Sequence, residues 1–280
     1  MHQLNVAAKK INDHLEAREF SLATQTAYKY FYEYLCDTYI ENSKAIFDEG
    51  SEEQKESAKQ TLYTAIEGGL NMIHPFMPFL TEELWQRLPR RQGDKTPSIT
   101  IAPFPQYTPD FEDATANAEY ELLVDSAKGL RSLTAEYAIK EGAATYIQSL
   151  TQATHATLTT PTSLPSIRSL AGKTVADITI LSPTDKAPSG CAVYTIGTSA
   201  TAYLDVKGRI ELDKEISKAA DRLNKANETI ARQKKIMDDE WEAKVSDAVK
   251  EQEREKLRTA ELEARNWEAS IGQFEKMKIE

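Results

Sequence analysis

The chain has 280 residues, with 34 lysines and arginines against 44 aspartates and glutamates, a formal charge of −10. At 40% hydrophobic and 28% charged it reads as a polar globular chain with length for about two domains. No run approaches the ~18 apolar residues of a membrane span, and Cys36 and Cys191 alone make neither a disulfide framework nor a cysteine zinc site. The acidic total argues against wholesale nucleic-acid binding but leaves room for a local basic patch.

Two cysteines suit a reducing compartment. The start lacks a signal peptide's apolar core, and Asp13, Glu16 and Glu19 speak against a transit peptide. Leu4, Ala7, Ile11 and Leu15 recur at three and four, which predicts an amphipathic helix over 3–19. That helix opens without a capping residue, as expected of a fragment from a longer protein. Ser21 is the expected cap of a second helix, 22–47, with Tyr28, Phe31, Leu35 and Tyr39 inward. The tyrosines crowded there form either a core with a tyrosine rim or a platform for stacked bases.

Ser51-Glu-Glu-Gln54 is a capping box opening a third helix, 52–73, with Leu62, Ala65, Ile66, Gly69 and Ile73 inward. Pro75 and Pro78 break it, and Thr81 is the expected cap of a fourth, 82–88. Trp85 should wedge into the bundle core. Residues 89–113 hold five prolines and read as a connector, with one short strand at 98–102. Helical spacing resumes over 114–137. The period then switches to two: 143–150, 177–181, 191–196 and 199–206 read as strands, with a short helix at 163–172 and a turn at Gly197-Thr198.

From Leu212 the chain returns to helix. Ile216, Leu223, Ile230 and Met237 lie seven apart beside a second seam of Leu212, Ala219, Ala226 and Gln233. After a break near 237–247, Val249, Leu257, Ala260, Ala264, Trp267, Ile271 and Phe274 mark a returning helix. The pattern predicts an antiparallel coiled-coil hairpin.

No catalytic set emerges. The four histidines lack helical zinc spacing, His74 reads as a structural histidine, and phosphate-loop and nucleophile-elbow patterns are missing. No metal site is expected. The hairpin is asymmetric in charge. Residues 207–235 carry nine basic and five acidic side chains, and Lys218, Lys225 and Arg232 repeat every seven, with Arg222 and Lys235 beside them. Pairing between the arms accounts for such charges; so does a rail for RNA phosphates.

At His74-Pro-Phe-Met-Pro-Phe-Leu-Thr-Glu-Glu-Leu-Trp85 the chain resembles the anticodon-binding helical domain of class I aminoacyl-tRNA synthetases for valine, isoleucine and leucine. Tyr34-Leu-Cys-Asp-Thr-Tyr-Ile-Glu41 and Trp241–Arg254 resemble segments of the valine enzymes, which also end in a long coiled coil. The HIGH and KMSKS adenylation motifs are absent from this chain, and so is the aromatic-rich helix start usual in the family.

The resemblance implies a mainly α architecture: a helical-bundle anticodon-binding domain with its Pro-rich connector (1–113), a helix plus small α/β module (114–206) and the coiled-coil hairpin (207–280). It implies the tRNA(Val)-binding C-terminal portion of a valine–tRNA ligase, non-catalytic by itself. The partners implied are tRNA(Val) and the catalytic domain of the same polypeptide, with no membrane and a monomeric state. No cofactor belongs to the fragment, whereas ATP is implied for the full-length protein. The location implied is cytoplasmic, a mitochondrial form staying open because the native N-terminus looks missing. In the family the hairpin reaches the tRNA elbow, which makes Lys218, Arg222, Lys225, Arg232 and Lys235 phosphate-contact candidates. Arg18, Lys29, Arg87, Arg90 and Arg91 are candidates on the anticodon side by charge and proximity to the motif. A protein-docking module built on the hairpin is the alternative.

Overall fold

A computed structural model describes residues 1–140, 142, 144–175, 177–206, 212–237, 241, 245 and 247–279; side chains are described except at 247, 248, 273 and 276–279. The chain forms two compact units, 1–121 and 122–280. It is mainly α, with a small mixed sheet and two long C-terminal helices.

The first unit is a helical bundle. Helix α1 (His2–Glu16) buries Leu4, Ala7, Ala8 and Ile11. Helix α2 (Phe20–Lys29) starts after Glu19, not Ser21, and no side chain caps it. It runs without a break into a π-helical stretch, Tyr30–Ile40, and then α3 (Glu41–Glu49). The five-residue hydrogen-bond step of the π form sets a new inward face. Tyr30, Leu35 and Ile40 take it, the first two buried. Thr38 Oγ1 likewise donates to Glu33 O, five residues back. This corrects the placement of Tyr28, which an α-period puts inside and which is 60% exposed.

The capping box at α4 (Glu52–Ile73) forms as expected: Gln54 N donates to Ser51 Oγ and Ser51 N to Gln54 Oε1. Gly69 permits the close approach of α4, because a Cβ there would stand 2.9 Å from the Phe31 ring. Tyr30 closes that contact by donating its hydroxyl to Ala65 O at 3.0 Å.

Helix α5 (Pro78–Arg87) starts four residues earlier than Thr81 would set it, because Pro78 fills the first helical position. Thr81 is therefore inside the helix, where its hydroxyl donates to Met77 O. Trp85 is buried with Leu70 and Ile99. The expected strand at 98–102 is a 3₁₀ turn, Ile99–Ile101. Glu82 draws that turn onto α5 by accepting from Ser98 Oγ and Ile99 N, and among the described residues no strand pairs with it. Asn12 and Asn5 bind the connector further on, through Pro105 O and Thr108 N.

Helix α6 (Ala114–Glu136) contains the boundary between the units. In the second unit the sheet order is β2-β1-β4-β3, from β1 (Ala144–Ser149), β2 (Asp177–Leu181), β3 (Cys191–Ile196) and β4 (Ala200–Asp205). β1 and β2 are parallel, so a crossover must join them. It is made by α7 (Gln152–Leu158), which the sequence reading missed, and α8 (Ser163–Ala171). The β3–β4 hairpin turns at Gly197, φ +49°.

Helices α9 (Leu212–Ile236) and α10 (Asp247–Ile279) pack tightly and run antiparallel, Arg222 meeting Trp267 and Lys234 meeting Glu261. Of the two expected seams the second is the buried one: Ala219, Ala226 and Gln233 are buried, whereas Ile216, Leu223 and Ile230 of the first are half-buried. Alanines let the helices approach closely and leave the longer side chains flanking the contact. Lys207, Arg209, Glu211 and most of the expected 237–247 break lie outside the described residues. Asn266 of α10 donates to Thr195 and approaches Thr201, tying the pair to one face of the sheet.

Candidate nucleic-acid interface

The ten basic candidates fall into distinct environments. At the end of α5 the three arginines have intramolecular partners. Arg87 Nε donates to Glu83 at 3.0 Å. Arg90 lies over the Trp85 ring, 3.5 Å from its centroid, and donates to Gln86. Arg91 pairs with Glu67 at 3.1 Å, donates to Thr64 and covers the Tyr63 ring. Glu83 and Gln86, one turn before their partners, were legible in the sequence. The partners on α4 are more than twenty residues away and no spacing rule reaches them. Nearby, the hydrogen bonds from Thr96 hold the Asp94 carboxyl below its ordinary range, with Arg90 and Arg91 adding to it.

Arg18 and Lys29 stand differently. Arg18 sits exposed in the α1–α2 turn at φ +62°. Lys29 reaches 5.6 Å from the Tyr34 ring, beside Tyr28 and Tyr32, which stack with centroids 5.4 Å apart and planes 11° from parallel. Both stacked tyrosines are more than half exposed. The crowded aromatic stretch thus divides, Tyr30 to the core and the Tyr28–Tyr32 pair to the surface.

On α9, Lys218, Lys225, Arg232 and Lys235 are exposed and Arg222 is half-buried. Lys218 pairs with Glu215 of its own helix at 2.6 Å. Arg222 pairs with Glu136 of α6 and lies over the Trp267 ring, 4.9 Å from its centroid. Among the described residues, Lys225 and Lys235 have no ion pair, and Arg232 only lies near enough to Glu253 to help lower its carboxyl, which the hydrogen bond from Lys256 lowers most. Pairing between the two arms does occur, at Lys234–Glu261, but the seven-residue column does not take part in it.

Other polar clusters are structural. His74 Nδ1 hydrogen-bonds Thr81 Oγ1 at 2.7 Å, and Nε2 meets Thr100 at 3.3 Å, clamping the 3₁₀ turn to α5. Ser149, His155 and Asp185 lie together in the sheet unit, but Ser149 is fully buried and donates its hydroxyl to Leu181 O. A hydroxyl so held cannot reach a substrate. Among the described residues no group of three or more His, Cys, Asp or Glu could hold a metal ion, and no helix is long and apolar enough to cross a membrane.

The first unit is thus a helical bundle with an exposed stacked tyrosine pair, and the second carries a helix pair with a column of cations on one helix. Residues 1–149 match the family described as the anticodon-binding domain of tRNA ligase, and the chain belongs to that family. Among curated proteins it is similar to the valine–tRNA ligase of Saccharomyces cerevisiae named as mitochondrial, 34% identical over 280 residues, all of this chain and 25% of the relative. It is 47% identical over 146 residues to that of Schizosaccharomyces pombe, covering 52% of this chain and 15% of the relative. The Mus musculus valine–tRNA ligase is 31% identical over 278 residues, 98% of this chain and 22% of that one. The chain thus spans about a quarter or less of the length of these relatives.

Proposed function

We propose that this chain binds tRNA(Val) and holds it for charging with valine by a catalytic portion that lies outside these 280 residues. The observation that carries the reading is the similarity to a valine–tRNA ligase along the entire chain, both units included. The bundle takes the anticodon side. Arg18, Lys29 and the exposed Tyr28–Tyr32 stack offer cations and π-faces to unpaired loop bases there. The column of Lys218, Lys225 and Arg232, with Lys235 beyond it, holds backbone phosphates toward the tRNA elbow. Arg87, Arg90 and Arg91 serve that side by fixing the end of α5.

Binding of the 280-residue chain to tRNA(Val) and to a non-cognate tRNA, each titrated with salt, tests the reading. The expected result is binding at low salt that weakens steeply as salt rises, with tRNA(Val) favoured at every salt. Salt-insensitive capture of a protein, with no tRNA binding at low salt, would overturn it in favour of a docking module. Valine-dependent pyrophosphate exchange by the chain alone would equally overturn the division of labour.

A further inference from the structure

Between edge strand β3, α6 and the helix pair lies a cleft of about 350 Å³ within the second unit. Its walls carry two aromatic rings, Tyr194 and Trp267, two cations, Arg222 and Lys225, and the Glu263 carboxylate. Arg222 is fixed, paired with Glu136 and laid over Trp267. A planar cation held in place is itself a stacking surface for a base. Glu263 is not fixed. It is half-buried, and among the described residues its carboxylate makes no hydrogen bond or ion pair. Burial pushes its carboxyl above the ordinary range. A carboxylate left partly desolvated and unpaired within a cleft is an acceptor waiting for donors.

The mixture of charges selects the ligand. With Arg222 neutralised by Glu136, a bare phosphate would suit Lys225 but would be repelled by Glu263. A cationic peptide would suit Glu263 but be repelled by Lys225. A nucleotide in RNA satisfies both, with its phosphate at Lys225 and a donor-bearing base edge at Glu263. Among the four bases only guanine presents two adjacent donors, N1–H and the N2 amine, which match the two oxygens of one carboxylate. Adenine and cytosine set a ring acceptor beside their single amine, and uracil flanks its N3–H with carbonyls.

We propose that this cleft binds an unpaired guanine of an RNA whose backbone runs along the Lys218–Lys225–Arg232 column, with Glu263 reading the base edge and the Trp267–Arg222 pair supporting its face. The proposal rests on the RNA-binding reading above and adds to it a base-specific site in the second unit.

The test compares three short oligouridylates, each with one central substitution: guanosine, inosine, which lacks the N2 amine, or adenosine. Affinity for the 280-residue chain is read by fluorescence anisotropy at low salt. The guanosine strand should bind about tenfold tighter than the inosine strand, the loss of one hydrogen bond to a charged acceptor. Adenosine should bind no better than inosine. In Glu263→Gln the guanosine strand should fall most, the inosine strand less, because its N1–H keeps an amide oxygen as acceptor, and the adenosine strand hardly at all, a cycle that isolates the pair. Lys225→Ala should weaken all three alike. Equal affinities for the three strands in the parent chain, which no folding defect can explain, would overturn the guanine site and leave tRNA binding standing. A guanosine preference that survives Glu263→Gln would overturn the role of that carboxylate. Failure of every strand and of tRNA to bind at low salt would overturn the RNA reading itself.

Discussion

The arginines at the end of α5 and three of the cations along α9, Lys225, Arg232 and Lys235, present the same chemistry to a sequence reader and opposite states to the structure; Lys218 and Arg222 of α9 are paired, as the arginines are. Arg87, Arg90 and Arg91 face carboxylates, an amide, a hydroxyl and two aromatic rings within their own unit. Lys225, Arg232 and Lys235 are exposed on a helix whose buried seam is built of alanines and a glutamine. A cation already satisfied inside its protein offers little to a phosphate unless it gives up a partner. An exposed cation with only solvent around it gives up only counterions. Local basicity is therefore a poor guide to an interface until the partners are counted.

The largest effect that can break this contrast comes from reversing the column. Lys218, Lys225 and Arg232 all changed to Glu should weaken tRNA binding on the order of a hundredfold or more at low salt, and much less at high salt. Each lost phosphate contact should flatten the slope of log affinity against log salt by up to about 0.9, the duplex DNA figure. Cognate and non-cognate tRNA should suffer about equally, since phosphates position and bases specify. The three positions lie away from the Ala219–Ala226–Gln233 seam, so circular dichroism should stay helical. A folded triple variant that binds like the parent across the salt series would show that the column is only a solvated face.

A smaller effect sharpens the other side. Arg90→Ala with Arg91→Ala should lower the stability of the first unit by about 1–2 kcal/mol, through loss of the cover over Trp85 and Tyr63 and of the Glu67 pair. Thermal unfolding reads this as a lower Tm. At a temperature where the double variant is fully folded, its tRNA affinity should fall far less than that of the triple variant. Equal losses of affinity would return these arginines to the interface.

How far the sequence could carry this contrast depends on distance along the chain. The helices, the capping box, the buried Trp85 and the β3–β4 hairpin follow from patterns within a few residues of each other, and they formed. Tyr28 went to the wrong face because nothing local announces a π-helical stretch, which shifts the inward face from a three-and-four to a five-residue step. The strand expected at 98–102 failed because a β-rich run pairs only if a neighbour arrives, and Glu82 captured it first. The column on α9 was visible as a seven-residue spacing. The cleft beside it was not, since Glu136, Tyr194, Arg222, Glu263 and Trp267 come from four elements spread over more than a hundred residues.

The smallest effect extends the contrast from cations to acids. Glu215 and Glu263 sit on the two helices of the pair. Glu215 is buried, yet it accepts from Tyr137 at 2.9 Å and from Lys218 at 2.6 Å. Its neutral replacement Glu215→Gln weakens two charge-assisted hydrogen bonds, so it should lower Tm at neutral pH. Glu263 has only the cost of burial, which raises its carboxyl pKa. A raised pKa means that the folded chain keeps a proton the unfolded chain has released. The stability this gives is fully present below the ordinary carboxylate range and is lost as pH rises through the folded value. Glu263→Gln carries no charge at any pH, so its Tm should exceed the parent's at neutral pH and converge with it in acid. The two substitutions should thus shift Tm in opposite directions at neutral pH, although both remove one negative charge from the same helix pair. Thermal melts of the parent and both variants from acid to neutral pH check this. A Glu263→Gln melt below the parent's at neutral pH would show that the carboxylate is already engaged within the fold, and that the cleft holds no acceptor in reserve.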